Sequence, residues 1–361
     1  MTKKIFLFLP VLAAMVLSCS TKGESDLRTI AIDLKHCPQL EEFVTNERIV
    51  SLEMKEECLI GKIDKICIDS IYFYVMDKNN KAVFVFDQEG RYISKISSQG
   101  NGPAEYIELS DIAICNRQIY ILSRSNKAIL IYDITGEYKD KIVLNDWYHR
   151  LYVTQDLIML YACKSNMQYY DIVSIDHQGK VINKYMPFTN NESYLFNITP
   201  FHRIDDKEYA VCFPYERRVA FLNDAECEFR YKFDFETQVK LTDEEMDRLG
   251  YETIKKEIRY KDALHQIEEI IKCSNEHFFM ITTIFLEGKG LRKVLCQTNC
   301  ETEQSKTYII GEEINQQYPY FCDPVLLQDS KIYCIINRPI STNAEDGNPE
   351  IGIYDIVVRE L

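Results

Sequence analysis

The sequence predicts an all-β fold, a six-bladed β-propeller of four-stranded antiparallel blades, on three observations. The first is a repeat. Asn80-Lys81-Ala82 returns as Asn126-Lys127-Ala128, Asp87 as Asp133, Gly90 as Gly136 and Tyr92 as Tyr138, at a constant offset of 46 residues. A period in the forties built from short apolar runs marks a propeller blade. The second is composition. The chain has 24 Tyr and 18 Phe but one Trp, and aromatic rings of this kind suit the pleated surface of strands. The third is a recurring Asp-x-x-Gly, at Asp87, Asp133 and Asp176. There the Asp side chain caps a tight hairpin and the Gly supplies the positive φ that closes it. That hairpin setting favours a turn role for these aspartates over a calcium ladder.

Each blade takes four strands, a to d from the axis outwards. In the first, a is 66–69, b is 71–76, c is 82–86 and d is 92–96. The second repeats it. Residues 172–175 are strand c of the third, and 219–222, followed by Asn223-Asp224, strand c of the fourth. The fifth has a near 270–273, b at 278–283 and c at 292–296. The sixth has a at 324–327, b at 332–336 and c at 351–355. Too few residues follow for an outer strand, so 48–52 is expected to complete the last blade and remove an open sheet edge. Between the fourth and fifth blades, Thr242 and Glu245 form a capping box, with Leu241 and Met246 placed for a hydrophobic staple. Met246, Leu249, Ile254, Ile258, Leu264, Ile267 and Ile271 follow helical spacing. One or two helices are expected over about 242–268.

The N-terminus has a different character. Lys3 and Lys4 precede a twelve-residue apolar run over 5–16. That is too short to span a bilayer, which takes about 20 apolar residues, and it reads as a signal peptide over 1–18. Ser18-Cys19 resembles the processing site of bacterial lipoproteins. The resemblance implies diacylglycerol on the Cys19 thiol, cleavage before it and acylation of the new amino terminus. Several acyl chains together anchor a protein stably. The expected division is 1–18 signal peptide, 19–47 lipidated tether and N-terminal extension, and 48–361 propeller. The expected location is the bacterial cell envelope, on the outer membrane, with the side of that membrane left open.

Two stretches carry a family resemblance: 59–65, Leu-Ile-Gly-Lys-Ile-Asp-Lys, and 99–106, Gln-Gly-Asn-Gly-Pro-Ala-Glu-Tyr. The second is similar to a G-x-G-P-x-E-Y motif. By these the chain resembles the bacterial six-bladed β-propeller lipoproteins, relatives of the NHL-type propellers. The resemblance implies fold and location, not chemistry.

Charge and motifs bound the function. The net charge is -14, which argues against a general nucleic-acid binder, since phosphates would be repelled at long range. Apart from Cys19, the 13 cysteines are scattered, several within apolar strands. They do not form a disulfide framework, and Cys296 and Cys300 are a lone C-x-x-x-C without the second pair a zinc site needs. There is no nucleophile elbow, no phosphate-binding glycine loop and no H-E-x-x-H. No cofactor or metal is expected. Among six dispersed histidines, His149 and His202 precede inner strands and are placed to approach the axis.

In a propeller the d–a and b–c loops share one face, and the long loops here fall on it. Loops of this kind on a rigid ring are where binding sits. Lys78, Arg124, Lys164, Arg217 and Arg338 each follow an apolar b strand, and Lys289 lies in the fifth b–c loop. They form a candidate ring of positive charge. Of these, Arg124, Lys164, Arg217 and Arg338, with Glu105 and Tyr106, make the candidate site, the arginines gripping an anion bidentately and Tyr106 stacking on a sugar. The expected function is a binding or interaction module for a glycan, acidic by preference, a peptide or a partner protein. The alternative is an enzyme, a lyase or lactonase-like hydrolase working in the central channel, which convergent His, Asp and Glu on inner strands would favour.

Overall fold

The structure, a computed structural model, describes residues 27–34, 39–188, 199–214, 216–236, 239, 241–249, 253, 256–311, 315–337 and 347–358. Two strands, β1 (Arg28–Ile32) and β2 (Val44–Ser51), precede the first blade. Blade one is β3 (Lys65–Ile68), β4 (Tyr72–Asp77), β5 (Ala82–Asp87) and β6 (Tyr92–Ile96). Blade two is β7 (Asp111–Cys115), β8 (Gln118–Ser123), β9 (Ala128–Asp133) and β10 (Tyr138–Val143). Blade three is β11 (Arg150–Val153), β12 (Ile158–Tyr161), β13 (Tyr170–Ile175) and β14 (Val181–Pro187). Blade four is β15 (Phe201–Arg203), β16 (Tyr209–Cys212), β17 (Arg218–Leu222) and β18 (Cys227–Phe235). Blade five is β19 (His265–Ser274), β20 (His277–Leu286), β21 (Gly290–Asn299) and β22 (Gln304–Ile309). Blade six joins β23 (Pro324–Gln328), β24 (Lys331–Ile336) and β25 (Glu350–Ile356) to β2 as its outer strand.

The turn chemistry explains the repeat. Asp87 Oδ1 accepts from the backbone N–H of Glu89 (3.0 Å) and Arg91 (2.8 Å), and Gly90 takes φ +80°. Asp133 and Asp176 do the same for residues two and four further on, with Gly136 and Gly179 at φ +86° and +84°. Asn223 Oδ1 caps the fourth turn from Ala225 and Glu226. The middle strands are apolar throughout because each blade is sandwiched between two others. Six buried clusters fill the six gaps; Tyr74 and Val85 of blade one, for example, meet Ile119 and Leu130 of blade two.

Ring closure follows the expectation. β2 pairs antiparallel with β25, from Val44 opposite Ile356 to Ser51 opposite Glu350, and Val50 and Leu52 pack with Phe73, Phe84 and Ile351. A Cβ on Gly90 would stand 2.2 Å from the Ser51 carbonyl oxygen, so the first blade's turn sits directly on the closing strand. The N-terminal extension holds a further element. β1 lies parallel to β18 as a fifth strand of blade four, Arg28 opposite Tyr231 and Ile32 opposite Phe235. Ile30 and Ile32 are fully buried between blades four and five.

The expected helical insertion needs correction. Its described residues hold a seven-residue helix, α1 (Asp243–Leu249), helical positions at Thr253 and Lys256 with Glu257 N–H donating to the Thr253 carbonyl, and a 3-10 turn over Ile258–Ala263, so helix ends well short of 268. Thr242 and Glu245 make the capping-box contacts, with Glu245 N–H donating to Thr242 Oγ1 and Thr242 N–H to Glu245 Oε2. From His265 the chain is strand, so Ile267 and Ile271 belong to β19. A strand buried on both faces places apolar residues at spacings that a helix also fits. Among the described residues no helix is long and apolar enough to cross a membrane.

Candidate functional site: the mouth of the channel

The innermost strands surround a central cavity of about 810 Å³. On the face of the d–a and b–c loops, the 99–106 motif is the first feature the backbone explains. Glu105 turns back into its own loop, where Gly102 N–H donates to its Oε2 at 2.9 Å. Gly100 holds a φ of +154°, and a Cβ there would lie 1.9 Å from that oxygen, so a side chain at this position would be strained and would displace the Glu105 carboxylate. Tyr106 is fully buried, and its hydroxyl donates to the Lys81 carbonyl at 2.6 Å. Tyr132 in turn donates to the Ala104 carbonyl at 2.7 Å. The motif therefore staples blade one to blade two. Tyr106 offers no surface to a ligand, which corrects the stacking role expected for it, and the half-buried Glu105 carboxylate is engaged by its own loop.

The b-strand cations divide. Arg217 is buried and points to the rim of blade four, paired with Asp234 at 3.5 Å and donating to the Leu241 carbonyl. It is a structural cation, not part of a mouth. Lys164 is exposed beside Asp171, whose Oδ1 accepts its backbone N–H at 2.7 Å. Arg338 and Cys19 lie outside the described residues. Lys78 and Arg124 are brought together with two residues that open blade three, His149 and Arg150. His149 is buried and its imidazole is pushed down to about 4, first by burial and then by Arg124, Arg150 and Lys78. Burial, and then Arg150, lowers the Lys78 ammonium too. Among the described residues neither Lys78 nor Arg124 has an ion pair, and the Arg124 Nε is buried without an acceptor.

Carboxylates near this cluster are already committed. Asp111 pairs with Lys65 at 2.8 Å and accepts from Leu151 N–H at 3.0 Å, linking blades one, two and three. Asp64 takes Lys62 at 3.2 Å and the Lys78 N–H at 2.8 Å. Across the channel the balance reverses. Lys293 spans Glu268 (3.2 Å) and Asp323 (2.8 Å). His202 lies 3.6 Å from Glu269, both buried in the wall. Burial, the largest single influence, disfavours the imidazolium, but the Glu269 charge together with hydrogen bonds to Cys212 and Glu269 outweighs it and raises His202 above its ordinary value. The channel is thus cationic towards blades one to three and acidic towards blades five and six.

Sequence reasoning placed His149 and His202 near the axis but missed Lys65, Asp111, Arg150 and Glu269. The signal was available: a charged residue standing at or near the start of a short apolar inner strand, as in Asp111 of Asp-Ile-Ala-Ile-Cys and Arg150 of Arg-Leu-Tyr-Val. Cys296 and Cys300 are buried free thiols, and among the described residues no group of three or more His, Cys, Asp or Glu is arranged to hold a metal ion.

Fold and channel together define a closed six-bladed propeller with a polar axial pocket. The chain belongs to the family described as domain of unknown function DUF4934, whose model matches residues 29–351. No curated protein matches the chain. Among solved structures it is similar to a protein described as exported, from Bacteroides fragilis, with a TM-score of 0.68 at 13% identity, covering 91% of this chain and 99% of that one. It is also similar to a member of the DUF4221 family from Bacteroides vulgatus, with a TM-score of 0.53 at 11% identity, covering 87% and 97%. At these identities the likeness speaks for the fold alone.

Proposed function

We propose that this protein is a lipid-anchored, extracytoplasmic binding module of the bacterial cell envelope, held to the outer membrane through Cys19, and that its channel mouth grips an anionic group of its ligand. The observation that carries the reading is the gathering of Lys78, Arg124 and Arg150 around a neutral His149 on a chain of net charge -14. A concave, partly desolvated mouth focuses such charge, so an anion gains there what the overall charge would deny it. An acidic glycan is the ligand class we favour: its carboxylate suits the cations, and its hydroxyls suit the polar channel wall. A peptide or protein partner would engage through an acidic side chain. The exported neighbour supports the location, as does the leader over residues 1–19.

The test is calorimetric titration with matched acidic and neutral oligosaccharides. Acidic members should bind in a salt-sensitive way. Lys78→Ala with Arg124→Ala should weaken them at least about tenfold, because each charge-assisted contact contributes about 1.5–3 kcal/mol. Equal binding of neutral and acidic members, unchanged in the double variant, would sink the proposal.

A second reading, a lyase or lactonase-like hydrolase, has one observation in its favour: a His–Glu pair, His202 and Glu269, in the channel wall. It requires the wild type to convert a bound ligand and His202→Gln to abolish conversion while leaving binding intact. Recovery of every bound ligand unaltered would remove it.

A further inference from the structure

We infer that the propeller stands on the membrane with its tight-turn face towards the lipid surface and its channel mouth away from it. The inference rests on the lipid anchor proposed at Cys19, and the position of β1 carries it. β1 is fixed rigidly, with Ile30 and Ile32 fully buried and its ladder to β18 unbroken. It begins opposite Tyr231, the middle residue of β18, and runs from there in the direction of β18, away from the c–d turns. The Tyr231 hydroxyl donates to the Glu276 carboxylate in the a–b turn of blade five. Arg28, its first residue, donates through Nη2 to the carbonyl of Glu301 at 3.2 Å. Glu301 lies in the blade-five c–d turn, between β21 and β22. The chain therefore enters the folded body among the turns, on the face opposite the d–a and b–c loops.

Length does the rest. Arg28 follows Cys19 by nine residue steps, with eight residues between them, and a fully extended chain of nine steps reaches about 30 Å. A strand of five or six residues is itself about 17–20 Å long. To lay the mouth on the bilayer, the tether would have to climb a whole blade and its loops at nearly full extension. With the turn face down it needs no extension. The tether sets this orientation even though the mouth cations would be drawn to anionic headgroups.

Trp147, the only tryptophan in the chain, makes the orientation measurable. It lies between β10 and β11 on the mouth face, with the Lys127 ammonium 3.6 Å from its ring centroid. Gln178 is exposed in the c–d turn of blade three, between β13 and β14. The full lipidated protein is reconstituted in phosphatidylcholine vesicles bearing a dansyl-headgroup lipid, with and without phosphatidylglycerol. Energy transfer from native Trp147 is compared with transfer in the Trp147→Phe, Gln178→Trp variant, its fold checked by circular dichroism. Transfer should be severalfold stronger from the turn-face donor in both lipid mixtures. Equal transfer, or stronger transfer from Trp147, would overturn the orientation. The anchor itself is read separately: Cys19→Ala should leave the membrane fraction, and if it stays, the anchor and the inference built on it both fall.

Discussion

At the scale of single residues, His149 is the most informative group in the mouth. It is buried, its Nε2 lies 2.9 Å from Ser165 Oγ, and burial and three neighbouring cations hold it neutral. In the unfolded chain it titrates near 6.5, and in the fold near 4. Folding therefore excludes a proton that the unfolded chain binds. The stability is fully present above pH 6.5 and is lost as pH falls from 6.5 towards 4, by up to about 3 kcal/mol. Denaturant titrations across that range should show the decline, and His149→Asn should flatten it. An unchanged slope in that variant would mean that other groups govern the acid limb. The same residue reports on ligand, because an anion offsetting Lys78 and Arg124 must raise the imidazole pKa, visible by NMR.

At the scale of elements, β1 shows where pattern reading stops. The closing strand was legible because residues 48–52 carry Ile49, Val50 and Leu52 with no blade of their own, and the last blade lacks an outer strand. β1 offers a weaker pattern, Ile30 and Ile32 alternating within five residues, and its parallel pairing requires no turn that sequence could reveal. Its burial makes the expected effect large: Ile30→Ala should cost about 2–5 kcal/mol by chemical denaturation, the usual range for emptying a packed aliphatic site. A loss below about 0.5 kcal/mol, within the range of ordinary surface substitutions, would mean that the strand is detached in solution. Arg217 failed for a related reason. It follows a b strand as Lys78 and Arg124 do, but its partner Asp234 sits on the outer strand of the same blade and draws it to the rim. The 99–106 motif was recognisable as a motif and misread as a site, since nothing in its residues distinguishes a carboxylate that caps its own loop from one that meets a ligand.

At the scale of the whole molecule, the blade repeat was legible because its turns need particular residues at fixed offsets, whereas the channel lining has no such grammar. Each blade contributes one or two charged side chains near the start of its inner strand, and only the packing of one blade on the next makes Lys65 a neighbour of Asp111, or His202 of Glu269. The acidic character of the chain is accordingly a poor guide to its mouth. Cations on three consecutive blades can be gathered into one place while the total remains strongly negative.

The pairing of β2 with β25 also has a temporal side. Val44 and Ile356 are partners in the ladder although almost the entire chain lies between them. Contacts of such separation are made late, because loop closure must be bought before the pairing rewards it. A chain still threading out of a ribosome or a translocation channel has its amino-terminal strand but not the one that receives it. Blades one to five can assemble as a growing arc, while the finished ring, and with it the cavity that depends on every blade, comes into being only after β25 has arrived. The axial cavity in this sense reports that β25 has been made.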